Sequence, residues 1–155
     1  MQSTYCKKMN TSFFQKKITH LLIMPSTTVL MNKSDQLNTL YKDCNLSKED
    51  VHKHQFYTII TRTGIEKIMF AKGINITYKE ITVTKDYCAV KAIATLNDEV
   101  IETYGSASVE TSHNKYYLEM AEKRAMSRSV LKLTKGYSLG LYGQDEADEF
   151  ETSKK

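Results

Sequence analysis

Residues 74–109 read INITYKEITVTKDYCAVKAIATLNDEVIETYGSASV. Three runs, Ile74 to Thr84, Tyr87 to Leu96 and Val100 to Val109, are dense in β-branched and aromatic residues, which suit a pleated and half-buried surface. They are divided by Lys85-Asp86 and Asn97-Asp98-Glu99, whose side chains favour tight turns. The spacing predicts a three-stranded antiparallel meander. In its middle run Cys88, Val90, Ala92, Ala94 and Leu96 alternate with Tyr87, Ala89, Lys91, Ile93 and Thr95, so one face is apolar and requires a cover.

The stretch from about Lys115 to Lys135 supplies that cover. It holds neither glycine nor proline, is closed by Gly136, and is the longest helical pattern in the chain. Leu118, Met126, Val130 and Leu133 fall broadly together on the helical wheel while Met120 and Leu131 fall elsewhere, which predicts a helix touched by the sheet and by a second body such as another subunit. Upstream, Thr63 is a candidate cap for a helix carrying Ile65, Ile68 and Met69 and stopped by Gly73. Phe56 to Thr61 reads as extended. Ser47 with Asp50 has the shape of a capping box and predicts a short helix through about His52, and Leu37, Leu40 and Tyr41 predict another over 34–41. The fold class expected is α+β, with a helix, a three-stranded antiparallel β-meander and a long helix packed on the sheet. The expected organisation is a loosely ordered arm over 1–33, one α+β domain over 34–143 and an acidic tail over 144–155, with Met31 a second candidate start.

With 155 residues, 41% of them hydrophobic, the chain suits one domain with a core of its own. No run nears the roughly 18 apolar residues of a membrane helix, and the short apolar run Leu21 to Met24 ends at Pro25, too short for a secretion signal. Cys6, Cys44 and Cys88 are odd in number and widely spaced, which argues against a disulfide framework or a thiolate metal site and fits a reducing compartment. His52 and His54 have no acidic or thiol neighbours at ligand spacing, and Gly64, Gly73 and Gly105 make no phosphate loop. No cofactor, metal or ATP is expected. Formal charge is +4. Residues 144–155 set five carboxylates against Lys154 and Lys155, a sum of −3, so residues 1–143 carry +7. A basic body with an acidic end fits a polyanion partner, although a lysine-rich solvated surface has the same composition.

Arg124, Arg128, Lys132 and Lys135 follow one another at steps of four, four and three, within an arc of about 80° on a helix. Such a stripe can track a phosphate backbone, and it can equally be a solvated face. Tyr104 and other tyrosines of the β region stand near Lys79 and Lys91, where rings can stack bases while ammonium groups hold phosphates. Tyrosine is also simply a common strand residue.

Two stretches, ITRTGIEKI (60–68) and YGSAS (104–108) followed by MAEKRAMSRSVL (120–131), resemble phage and prophage proteins of the Rad fifty-two-like single-strand annealing superfamily and the mitochondrial genome-maintenance proteins related to them. The resemblance covers about residues 56–150. It implies a unit that assembles side by side into rings or helical filaments, with single-stranded DNA in a basic groove between meander and long helix. Arg124 and Arg128 match the family's pair of basic residues four positions apart; Lys91 and Lys132 follow as further contacts, with Lys135, Lys79, Tyr104 and Arg62 completing the candidate set. Ser127 stands where larger members often have a second basic residue, and the chain lacks their long C-terminal region. The resemblance implies sequence-independent, ATP-independent binding and annealing of single-stranded DNA in recombination, replication and repair, and no bond-making or bond-breaking activity. It further implies a homo-oligomer in the cytoplasm of a bacterial host, phage or prophage encoded, with a single-strand binding protein or an exonuclease as candidate partner. Two other classes fit the same residues: a double-stranded-RNA-binding module, which shares the order helix, three strands, helix, and a protein-interaction module acting as a host inhibitor. A metal-dependent nuclease fits poorly, for want of a carboxylate cluster in the folded part.

Overall fold

The computed structural model of the protein describes residues 31–54, 56–111 and 116–147, all within the compact unit Met31–Lys155. Most of the arm expected over 1–33, together with Cys6, Lys115 and the stretch from Asp148 onward, lies outside the described residues. The meander is present: β3 (Asn75–Val83), β4 (Tyr87–Leu96) and β5 (Glu99–Ser108) pair antiparallel in the order β3-β4-β5. Asn97 turns the second hairpin at φ 53°, a left-handed conformation asparagine tolerates well. A register shift between Glu80 and Thr82 puts a bulge in β3, which twists that edge.

The long helix α3 (Tyr117–Leu133) lies on the inner face of the meander. That interface is built from small side chains: Cys88, Val90, Ala92 and Ala107 from the strands, Ala121 and Ala125 from the helix. Small residues permit close approach, and the closest is at Gly105. A Cβ placed there would stand 1.9 Å from the Ala121 carbonyl oxygen and 2.6 Å from the Ala125 nitrogen. Beside it Thr103 and Ser129, both buried, bring their hydroxyls within 2.6 Å of each other, and each also lies 2.9 Å from the Ala125 carbonyl. Two hydroxyl protons serve these three contacts, so the cluster ties strand to helix without leaving a buried oxygen unpartnered.

The opposite side of α3 meets large side chains. Ile65 and Ile68 of α2 (Arg62–Lys72), Ile60, Leu141 and Leu40 cluster with Val130, Leu131 and Leu133. The second body expected against α3 is therefore part of the same chain. Helix α2 starts two residues earlier than its predicted cap: Thr61, not Thr63, accepts the Gly64 amide at 3.3 Å, and Gly73 closes it at φ 69°. Helix α1 (Lys33–Asp43) is capped by Asn32, which accepts the Asp35 amide at 2.8 Å.

The expected helix through His52 is not formed. The Asp50 carboxylate accepts from the Ser47 amide and hydroxyl, each at 2.7 Å, and from Lys67 Nζ at 2.6 Å. Those bonds close a turn that leads into a strand. The strand β1 (Val51–Lys53) pairs antiparallel with β2 (Thr58–Ile60), and β2 pairs parallel with β6 (Leu141–Gly143), giving a second small sheet that the sequence did not announce. His52 lies in β1, and His54 stacks on Tyr57 at 4.5 Å.

Two outcomes follow from this packing. Gly105→Ala, whose methyl would meet helix backbone that cannot rotate away, is expected to destabilise the fold by about 2 kcal/mol or more in denaturant titrations. Asp50, with Lys67 first among the causes and the Ser47 bonds behind it, is held down to a pKa of about 2. A lowered carboxylate pKa contributes stability above the unfolded value and loses it as pH falls toward the folded one. Asp50→Asn is thus expected to cost about 1–3 kcal/mol at neutral pH and to flatten the loss of stability between about pH 4 and pH 2, measured by thermal unfolding across that range.

Candidate nucleic-acid interface

The outer face of the meander carries the side chains that alternate with the buried set. Register places Lys79 of β3 opposite Lys91 of β4, and Lys91 opposite Tyr104 of β5, so the three form one row across the sheet. The Tyr104 ring is 54% exposed, and Lys91 Nζ stands 5.9 Å from its centroid, within cation–π range. Thr77, Ile93 and Ala89 flank the row. Lys91 also pairs with Glu102 at 2.6 Å, and that carboxylate, by hydrogen bond before charge, holds the ammonium above its ordinary pKa. Two lysines directly opposite each other repel; Glu102 relieves part of that, and Lys79 stays exposed.

The α3 stripe comes out differently from a plain solvated face. Strand β5 is an edge strand, and unpaired carbonyls on such an edge need partners. Arg124 donates from Nη1 to the Ser106 carbonyl at 2.6 Å and from Nη2 to the Thr111 carbonyl at 3.3 Å, and it is only 9% exposed. Arg128 donates from Nη1 to the Tyr104 carbonyl at 2.8 Å, and its Nε lies 3.5 Å from Glu146 Oε1. These two arginines seal the edge of the sheet. Arg128 remains about a third exposed. Lys132, one turn on, is exposed. Lys135 leaves the stripe: α3 ends at Leu133, Thr134 caps it, and Lys135 adopts the left-handed φ of 56° that opens the short 3-10 turn Gly136–Leu139. A wheel drawn through residue 135 assumes a helix that has already ended.

The row and the stripe meet at Tyr104, whose ring belongs to the outer face and whose carbonyl is held by Arg128. Lys79, Lys91, Tyr104 and Arg128 are thus brought together, with Arg124 beside them but engaged and Lys132 farther along α3. Arg62 stands apart, paired with Glu66 one turn along α2 at 2.8 Å. The sequence reading missed Glu102 and Glu146 as counter-ions. Glu102 was findable, since it lies two residues before Tyr104 on the same face and so on the diagonal from Lys91. Glu146 belongs to the acidic end, whose residues 144–147 are helical with Ala147 buried, and nothing in its spacing names Arg128 as its partner. Tyr137 donates to Glu146 Oε1 at 2.8 Å and the Gly143 amide to Oε2 at 3.3 Å. Burial first, and then the Glu146 bond, raises the Tyr137 pKa.

Among the described residues no cluster of histidine, cysteine or carboxylate is arranged to hold a metal ion, and no helix is long and apolar enough to cross a membrane. No protein-family model, curated protein or solved structure matches the chain.

Because Arg124 is an edge seal, Arg124→Ala is expected to cost about 1.5–3 kcal/mol of stability, the scale for a charged donor lost from buried carbonyls. Lys132→Ala should leave thermal unfolding unchanged. Unfolding midpoints of the two variants side by side check this.

Proposed function

We propose that the protein binds single-stranded DNA without sequence preference and without ATP, and promotes pairing of complementary strands as a homo-oligomeric ring or filament, in the manner of the Rad fifty-two-like annealing proteins. The observation that carries the reading is the outer-face row of Lys79, Lys91 and Tyr104, with Lys79 and Tyr104 exposed, running into Arg128 at the sheet edge. An exposed ring beside ammonium groups is the element from which sequence-tolerant strand binders are built. A backbone phosphate laid between Lys79 and Lys91 would relieve their mutual repulsion, so binding and local electrostatics favour the same state. Annealing requires only that strands be concentrated, their repulsion screened and their bases left accessible, and assembly of many copies meets those needs without a catalytic group. The order α2, β3, β4, β5, α3 supports a second reading, a double-stranded-RNA-binding module.

The test is binding of fluorescent single-stranded DNA, duplex DNA and duplex RNA at several salt concentrations, with light scattering for mass. Wild type is expected to prefer the single strand and to form large particles. Lys79→Ala/Lys91→Ala should weaken binding for every sequence and make the log–log salt slope shallower by about 1.4, from about 0.7 per phosphate. Tyr104→Ala should cost about 1–3 kcal/mol with the slope kept. Preference for duplex RNA would transfer the assignment to the second reading. A monomer that ignores all three ligands would indicate a protein-interaction module.

A further inference from the structure

Arg128 is the cation at which the outer-face row passes over the edge of β5, and a carboxylate from the acidic end of the chain already sits on it. Three donors converge on that carboxylate: Tyr137 Oη at 2.8 Å, the Gly143 amide at 3.3 Å and Arg128 Nε at 3.5 Å. The lengths rank them. Tyr137 holds Glu146 in place, while Arg128 makes the longest and loosest contact and keeps a third of its side chain in solvent. An ion pair of that length, with a guanidinium a third exposed and a carboxylate already bonded to Tyr137 and Gly143, adds less to the fold than a short one, whereas a phosphate can meet a guanidinium through two short parallel bonds. Carboxylate and phosphate oxygens seek the same N–H groups, so they exclude each other there.

We infer that Glu146 competes with backbone phosphate for Arg128 and so restrains nucleic-acid binding at the β5 edge. This rests on the single-strand reading above and adds its regulation. Strand binding displaces Glu146 from Arg128, and by reciprocity whatever holds Glu146 on Arg128 weakens strand binding by the same factor. Release leaves the Arg128 contact to the Tyr104 carbonyl in place, so the edge of the sheet stays sealed while the site opens.

Glu146→Gln removes the charge, keeps one oxygen as acceptor for the Gly143 amide, and turns its NH2 toward the Tyr137 hydroxyl, which can accept from it. With an oligothymidylate as probe it is expected to bind several-fold more tightly at low salt, with a log–log salt slope steeper by about 0.7, the signature of one more phosphate contact. A purely structural role for Glu146 would not move the slope. Tyr137→Phe, which loosens the hold on Glu146 without altering charge, should tighten binding by less. In the wild type, saturation with the oligonucleotide should speed hydrogen exchange at the Gly143 amide, a readout that needs no variant and decides the matter should Glu146→Gln fail to fold. If wild type binds the probe while both variants share its affinity and slope and Gly143 exchange is unmoved, the restraint is refuted and the binding reading survives. If no form binds the probe, the binding reading itself falls, and the restraint with it.

Discussion

The rest of the structure depends on how closely α3 lies against β5. Gly105 presents no side chain, and Ala121 and Ala125 present the least a helix can, so helix backbone rests almost on strand backbone. That contact fixes the other positions along both elements. It aligns the buried Thr103 and Ser129 hydroxyls, and it brings Arg124 and Arg128, which flank Ala125 one residue before and three after, to the carbonyls at the open edge of the sheet. A helix lifted by one methyl would lose those bonds together.

Helix α3 is a shared wall with two unlike sides. Toward the meander it offers alanine, serine and arginine; toward α2, α1 and β6 it offers Val130, Leu131 and Leu133. The small-residue side gains geometric definition from backbone proximity and hydrogen bonds. The large-residue side supplies most of the apolar burial, and with it the bulk of the hydrophobic driving force. Among the described residues this division places no helix over the outer face of the meander, and it draws two of the most conspicuous cations in the sequence partly into structural service. A basic stripe on a helix that packs on a sheet edge therefore has two occupations at once: closing off main-chain groups and presenting positive charge. Arg124, nearly buried, belongs mainly to the first, and Arg128 divides itself between them.

Much of this was legible in the sequence, for reasons specific to the segments. The strands at 75–108 alternate strongly and are parted by unmistakable turn residues, and α3 runs without a breaker, so local preference and tertiary role agree there. Legibility failed where short segments are decided by distant partners. Ser47 and Asp50 carry a helix-start pattern, but Lys67, seventeen residues on, and the strand pairing of Val51 with Ile60 claim the segment first. The strand β6 is three residues long with glycine at its end and exists because β2 lies beside it. At the candidate interface, spacing alone brought forward the right cations but not their counter-ions. Which carboxylate faces which ammonium depends on register for Glu102 and on the fold of the acidic segment for Glu146, and only the first is encoded locally.

The small sheet has a bearing on the order in which the molecule can form. The meander, its hairpins and α3 are close in sequence, and such neighbours can find one another quickly at little loop-closure cost. Strand β2, in contrast, precedes the meander and is completed on its second side by β6, which follows α3, with Thr58 opposite Leu141 across most of the described chain. On a ribosome, the βββα core can assemble while β2 still waits with one edge unpaired. The last-made strand acts as a clasp, and until it arrives the large-residue side of α3 has no lid over Ile60. Closing the second sheet thus requires the chain through Gly143, whereas the meander and its helix need only neighbouring residues.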